Sequence, residues 1–332
     1  MAQIVLGIGT SHSPLLILEG EDWSVRSTAD MNNRGLNTLD GRRVSYQTLL
    51  AERGERYVKE SDPARFPELA AQAEAALDDL ATAVRKARPD VIVVIGDDQG
   101  ELYDADGMPA LSIFTGEELV MKDRGKTQLS KVPMVTANYW AGYRMDLPHR
   151  YPGAPRLARQ LATGLIERDV DVAITSRVRQ PERYAFGHAY GFVIARLLKD
   201  VDTPMLPILV NTYFPPNTPT AARCHAIGRK IAQTLEAVPG DTRIAVVASG
   251  GLSHFLCEEA FDRDVFAALK IHDVQSLITL PEHSLLEGTS EIKNWIMMSA
   301  ATGHLNFSYG EYIPVYRTPV GTGIGLGFAV WS

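Results

Sequence analysis

The sequence predicts a single α/β domain built on a central mixed β-sheet flanked by helices. Short apolar runs carry the prediction: Ile4 to Gly9, Asp90 to Ile95, Pro204 to Val210 and Ile244 to Ala248 offer almost no polar face. Such runs read as strands covered on both sides. Helix-patterned stretches separate them in a βαβ-like order. No internal repeat, low-complexity segment or Pro/Ser-rich linker divides the 332 residues, so the chain reads as one domain over 1–332.

Each element follows in turn. The strand Ile4 to Gly9 runs into Thr10-Ser11-His12-Ser13-Pro14, where Pro14 stiffens the exit. His12 is there either a ligand or catalytic imidazole or a plain turn residue. Residues 19–65 form a long polar excursion, with a helix expected over Tyr46 to Lys59. An insertion of this length is a lid, an oligomer contact or a passive surface loop. Pro67 to Ala87 is Ala-rich, Leu-spaced and opened by proline, which predicts a helix. The strand Asp90 to Ile95 ends in Gly96-Asp97-Asp98-Gln99-Gly100-Glu101. Asp97, Asp98, Gln99 and Glu101 can face a metal there or make a solvated acidic turn. Leu111 to Phe114 reads as a short strand.

The stretch Asn138-Tyr139-Trp140-Ala141-Gly142-Tyr143-Arg144 joins aromatics to a cation. It can line an aromatic substrate pocket, meet another subunit, or anchor a long loop. A helix is expected over Pro155 to Glu167 and a strand over Val170 to Thr175. A second helix opens at Phe186-Gly187-His188 and runs to about Leu198. Its dipole should favour a neutral imidazole at His188. His225, inside the helix Ala221 to Ala237, reads as a packing histidine.

After Ile244 to Ala248 comes Gly250-Gly251-Leu252-Ser253-His254. Two glycines allow a sharp turn and a close approach to a ligand. His254 is presented where open α/β sheets place their chemistry. Helices follow over Glu259 to Leu269 and Ile271 to Ile278. Thr289 and Ser290 offer N-cap oxygens to a helix opening at Glu291. Glu291 is there a dipole-compensating carboxylate or a metal ligand. Tyr312 to Arg317 and Gly323 to Val330 close the sheet as strands.

Composition excludes several classes. Net charge is −7 and no basic cluster stands out, which argues against nucleic acid. Cys224 and Cys257 lack CxxC spacing, so a reduced, cytoplasmic setting is expected. Met1 to Gly9 has no signal-peptide pattern. No apolar run approaches the roughly 18 residues that suggest a membrane helix.

His12, Gln99, His188, His254 and Glu291 all fall just past strand ends or at a helix start. Nitrogen and oxygen donors with one carboxylate and open positions suit non-haem Fe(II) oxygen chemistry. Zinc hydrolysis competes for the same donors. A GxSxG elbow, a GxGxxG turn and a GxxxxGK[ST] loop are all missing after the strands.

In order, Gly9-Thr10-Ser11-His12-Ser13-Pro14, Gly96-Asp97-Asp98-Gln99, Gly187-His188, Gly250-Gly251-Leu252-Ser253-His254 and Glu291-Ile292-Lys293-Asn294-Trp295 resemble the landmarks of type II extradiol ring-cleavage dioxygenases. This is the superfamily of the protocatechuate 4,5-dioxygenase large subunit. The resemblance spans residue 4 to about 330. The early excursion is most similar to the 3-O-methylgallate dioxygenase branch. The resemblance implies Fe(II), O2 and a catechol-type aromatic acid of the protocatechuate, gallate or 3-O-methylgallate class. It implies His12 and Glu291 as iron ligands, His254 as the acid/base histidine, and His188 as a substrate-positioning histidine.

Gln99 departs from the family by standing where the second ligand histidine is expected. Exchanging neutral imidazole for neutral amide leaves the site's charge unchanged, but the amide oxygen is the weaker donor. Gln99 is expected to ligate through that oxygen; Asp98 and Glu101 are the rival ligands. Ser253, Tyr143 and Arg144 are the substrate-binding candidates, with Arg183 a further carboxylate partner. A homo-oligomer is expected, and a small accessory subunit stays open. The alternatives are a metal-free homologue acting as a partner subunit, and a zinc hydrolase.

Overall fold

The computed structural model describes residues 1–125, 139–199 and 201–332. Its strands are β1 (Gln3–Thr10), β2 (Leu36–Asn37), β3 (Arg43–Val44), β4 (Val91–Asp97), β5 (Leu111–Phe114), β6 (Glu118–Val120), β7 (Arg150–Pro152), β8 (Ala173–Thr175), β9 (Met205–Val210), β10 (Arg243–Ser249), β11 (His254–Leu256), β12 (Phe307–Tyr316) and β13 (Thr322–Trp331). Its helices are α1 (Ser24–Met31), α2 (Tyr46–Arg53), α3 (Phe66–Ala87), α4 (Pro155–Ile166), α5 (His188–Arg196), α6 (Ala221–Glu236), α7 (Glu259–Lys270), α8 (Val274–Ile278) and α9 (Ile292–Ala301).

Nine of these strands share one mixed sheet in the order β11-β13-β1-β10-β4-β9-β5-β8, with β12 on the far edge of β13. The centre, β1-β10-β4-β9, is parallel throughout. Its register pairs Thr10 with Ser249 and Asp97 with Val210, so the carboxyl ends finish at one edge. Side chains alternate faces along a strand. Val91, Val93 and Ile95 pack with α4, α6 and α9 on one side, while Ile92 and Val94 pack with α3 and α5 on the other. Both faces are therefore covered, which explains why these strands are continuous apolar runs.

Several elements end elsewhere than the pattern predicts. The helix expected to reach Lys59 stops at Arg53, because Gly54 takes a positive φ of 64° and returns its N–H to the Leu50 carbonyl. The strand expected from Val170 is reduced to Ala173–Thr175 at the sheet edge. The helix expected from Ile271 begins at Val274, after His272 takes a φ of 51°. The closing hairpin is longer on both arms, since the alternation Phe307-Ser308-Tyr309 already belongs to β12. Asn138 of the aromatic stretch lies outside the described residues.

The excursion at 19–65 is anchored. Trp23 is buried, and its indole N–H donates to the Leu15 carbonyl at 2.9 Å. Leu36, Tyr46 and Leu49 form a satellite core with Leu256 and Val320. Asp30 is buried and accepts from Arg317 Nε at 2.7 Å and Thr322 Oγ1 at 2.9 Å. Breaking a buried ion pair from one side leaves an uncompensated charge. Asp30→Ala is therefore expected to cost about 3–5 kcal/mol of stability. Urea unfolding checks this, and a loss below about 1 kcal/mol would contradict it. Among the described residues, no helix is long and apolar enough to cross a membrane.

Candidate metal centre

The site lies where the parallel strands end, at the edge open α/β sheets use for ligands. β1 delivers His12, β4 delivers Asp97 and Gln99, β10 ends at Ser249, and the start of α9 delivers Glu291. Donor atoms of His12, Asp97, His188 and Glu291 all lie within 4.8 Å of one another. Donors on opposite sides of one ion bound at about 2.1–2.4 Å would be separated by roughly that span.

The tautomer of His12 follows from its neighbours. Ser249 Oγ donates its only proton to the Ala189 carbonyl at 2.6 Å. The 2.9 Å contact between Ser249 Oγ and His12 Nδ1 must then be donated by the imidazole. That leaves Nε2 facing Glu291 Oε2 at 3.4 Å, where a proton or a cation would lie between them. A ring nitrogen held this way is the usual preparation for a metal ligand.

Glu291 is buried, and its Oε2 accepts the Gly251 N–H at 2.6 Å. This close approach is what the double glycine permits. Burial alone would raise the Glu291 pKa, but His12 and His254 hold it well below the usual range. Glu291 is the N-cap residue of α9 and makes no capping bond. The expected N-cap roles of Thr289 and Ser290 are not found. Ser290 closes a 3-10 turn to Glu287, and Thr289 brackets His254, accepting its N–H at 3.1 Å and donating to its carbonyl at 3.0 Å.

Asp97 completes the cluster. Its Oδ2 accepts from Gln99 Nε2 at 2.9 Å, while its Oδ1 is buried without a partner. Burial and then repulsion from Glu291 push its pKa up. Two buried carboxylates beside one orphaned oxygen, with no lysine or arginine bonded to either among the described residues, form a set that a divalent cation would satisfy. The residues present fit a metal ion.

Gln99 points its amide nitrogen at this cluster, 2.9 Å from Asp97 Oδ2 and 3.4 Å from Glu291 Oε1. Oxygen ligation requires the amide turned over, which only a cation between the oxygens would favour. The rival carboxylates are placed elsewhere. Asp98 caps its own loop, accepting N–H groups from Glu101 at 2.6 Å and Tyr103 at 2.8 Å. Glu101 clamps His188 Nδ1 at 2.9 Å and approaches Arg124 at 3.5 Å.

The clamp reverses one expectation. Burial and the helix N-terminus both disfavour a charged His188, but Glu101 overrides them and pushes its pKa up to about 9. Burial raises Glu101 in turn, yet His188 and Arg124 pull it down to about 2. Gly187 makes the clamp possible, because a Cβ there would collide with the Glu101 carboxylate. His254 donates Nδ1–H to the Leu252 carbonyl at 3.0 Å, leaving Nε2 3.5 Å from Glu291 Oε1. Burial lowers its pKa, Glu291 raises it more, and the net shift is upward.

A cavity of about 400 Å³ opens over these groups, walled by Tyr139, Trp140, Tyr143, Tyr213 and Phe255. Tyr143 lines it with its ring, but its hydroxyl is committed to the His12 carbonyl at 2.8 Å. Ser253 is turned away. It is buried and bonded through N–H and hydroxyl to Asp262, at 2.8 and 2.6 Å. Arg144 also leaves the site: its φ is 54°, and it lines a separate depression beside Leu15 to Glu21. Arg183 lies over the Tyr184 ring, outside the cavity. The arginines in the cavity wall are Arg26, Arg124 and Arg317. Nothing local in the sequence marks them. Ser249, by contrast, stands out as the polar end of the apolar run Ile244 to Ala248.

Comparison with known proteins shows the family. Residues 57–326 match the family model described as the catalytic LigB subunit of aromatic ring-opening dioxygenase. A gallate dioxygenase from Pseudomonas putida is 33% identical over 116 residues, 32% of this chain and 33% of that protein. A 2,3-dihydroxyphenylpropionate/2,3-dihydroxicinnamic acid 1,2-dioxygenase from Comamonas testosteroni is 33% identical over 102 residues, 30% of each chain. Its namesake from Xanthobacter autotrophicus is 27% identical over 197 residues, 58% of this chain and 52% of that one. The matched segments thus span between about a third and half of these relatives.

Proposed function

The chain belongs to the LigB family of aromatic ring-opening dioxygenases, and from that premise we propose that it is an Fe(II)-dependent extradiol dioxygenase acting on a catechol-type aromatic acid. The observation that carries the reading is the cluster of buried His12, Asp97 and Glu291, with half-buried His188 beside them, under an aromatic-walled cavity. His12, Glu291 and the Asp97–Gln99 pair would hold the ion. The chemistry an Fe(II) ion held there would supply is activation of a catechol and O2 toward each other. Both oxygen atoms enter the product and one ring carbon–carbon bond breaks, so no outside reductant is required.

The protein's own groups have separable tasks. His254 Nε2 is the acceptor for a hydroxyl proton, since Nδ1–H is fixed on the Leu252 carbonyl. Glu291 beside it would stabilise the imidazolium that forms. His188, held charged by Glu101, donates to developing negative charge on the substrate. The aromatic walls would hold the ring. Two free, buried cysteines, Cys224 and Cys257, support a reducing cytoplasmic setting.

The test is oxygen uptake. Anaerobically purified protein is loaded with Fe(II) and offered catechol, protocatechuate, gallate, 3-O-methylgallate and 2,3-dihydroxyphenylpropionate. Uptake matching ring-opened product supports the reading, and bound iron without uptake on the whole panel counts against it. Zinc selected over iron, with no uptake, would favour a hydrolase. Gln99→Ala is expected to weaken Fe(II) binding about 10- to 100-fold, judged by analogy with the support groups of other metal sites. Chelator competition reads this, and an unchanged affinity would remove Gln99 from the ion's surroundings.

A further inference from the structure

The excursion at 19–65 contributes one charged group to the cavity, Arg26 of α1. Three arginines reach the cavity wall, and their partners differ. Arg317 is buried and held by both oxygens of Asp30, at 2.7 and 3.2 Å. Arg124 lies 3.5 Å from Glu101 and 4.8 Å over the Trp140 ring. Arg26 has no acidic partner among the described residues.

The reason lies in the helix itself. Asp30 is four residues after Arg26 and would be its natural helical partner. Its carboxylate is instead taken by Arg317 and by Thr322 Oγ1 at 2.9 Å. Arg26 is left half-buried on the cavity wall, beside Tyr139 and Tyr143, with no carboxylate at ion-pair distance among the described residues. The carboxylates at the cavity floor are matched by the histidines and by the ion they would hold. A planar guanidinium without an acidic partner among the described residues, on the wall of an aromatic-lined cavity, is suited to bind a carboxylate in a paired geometry.

We propose that Arg26 binds the carboxylate substituent of the substrate, so that the excursion selects aromatic acids over neutral catechols. The inference rests on the dioxygenase reading for its substrate class, but not for its measurement.

Calorimetry measures binding of protocatechuate and of its methyl ester to the Fe(II)-loaded protein kept free of oxygen. Both probes keep the adjacent hydroxyls and only one keeps the anion. The wild type is expected to prefer the acid. In Arg26→Ala and Arg26→Gln that preference should fall about 10- to 100-fold, the scale of a charge-assisted hydrogen bond. Arg26→Lys should retain part of it. An acid preference that survives Arg26→Gln in folded protein overturns the proposal. So does a wild type that binds the ester as tightly as the acid, or binds neither. Arg26-dependent acid binding without oxygen uptake would instead overturn the dioxygenase reading and leave this one standing.

Discussion

His254→Ala is expected to keep iron and to lower kcat by about 10²- to 10⁴-fold, the usual range for a positioned acid or base. His254 enters the site from β11, a three-residue strand paired with Ile324 to Thr322 of β13. Thr289 grips its backbone from the other side. The imidazole is therefore positioned independently of the ion, and its removal should leave His12, Asp97 and Glu291 in place. Alanine also removes a group that helps hold Glu291 ionised, so a modest loss of iron affinity is compatible with the role. Anaerobic iron titration together with steady-state oxygen uptake separates the two effects. Turnover near the wild-type rate would exclude His254 as the proton acceptor.

Glu291→Ala is expected to abolish both iron binding and turnover. Glu291 contacts more of the site than any other donor, touching His12, His254, Gln99 and the Gly251 N–H. An ion that binds only the folded state stabilises it by about 2.7 kcal/mol at a hundred times its dissociation constant. The wild type should therefore show a rise in Tm on anaerobic addition of Fe(II), and the variant should show none. A variant that still shifts its Tm by the wild-type amount would assign the ion to other ligands.

Much of this was legible from residues alone. The parallel core announced itself because strands covered on both faces need apolar side chains at every position. His12, Gln99, His254 and Glu291 were locatable because open sheets use their carboxyl edge, and each follows a strand or starts a helix. Long-range partnerships were not legible. Nothing near His188 reveals that Glu101, 87 residues away, clamps it and overrides the helix dipole. Nothing near Ser253 shows that Asp262 takes its hydroxyl. Arg144 lies beside an aromatic run in sequence, but it lines a depression separate from the cavity. Arg26 was hidden in a polar excursion whose geometry depends on a salt bridge spanning 287 residues.

The four donors of the cluster come from positions 12, 97, 188 and 291. No two lie on the same hairpin or helix: His12 and Asp97 come from the parallel strands β1 and β4, His188 opens α5 and Glu291 opens α9, so they meet only when the chain has crossed the sheet several times. Closing contacts of such separation is slow and gains little until the last segment docks. Metal uptake at this cluster would therefore mark the end of assembly. A half-folded chain would present isolated histidines and carboxylates with no convergent site for an ion. Truncating the chain before Glu291 should accordingly cost the capacity to load iron, whatever secondary structure the fragment retains.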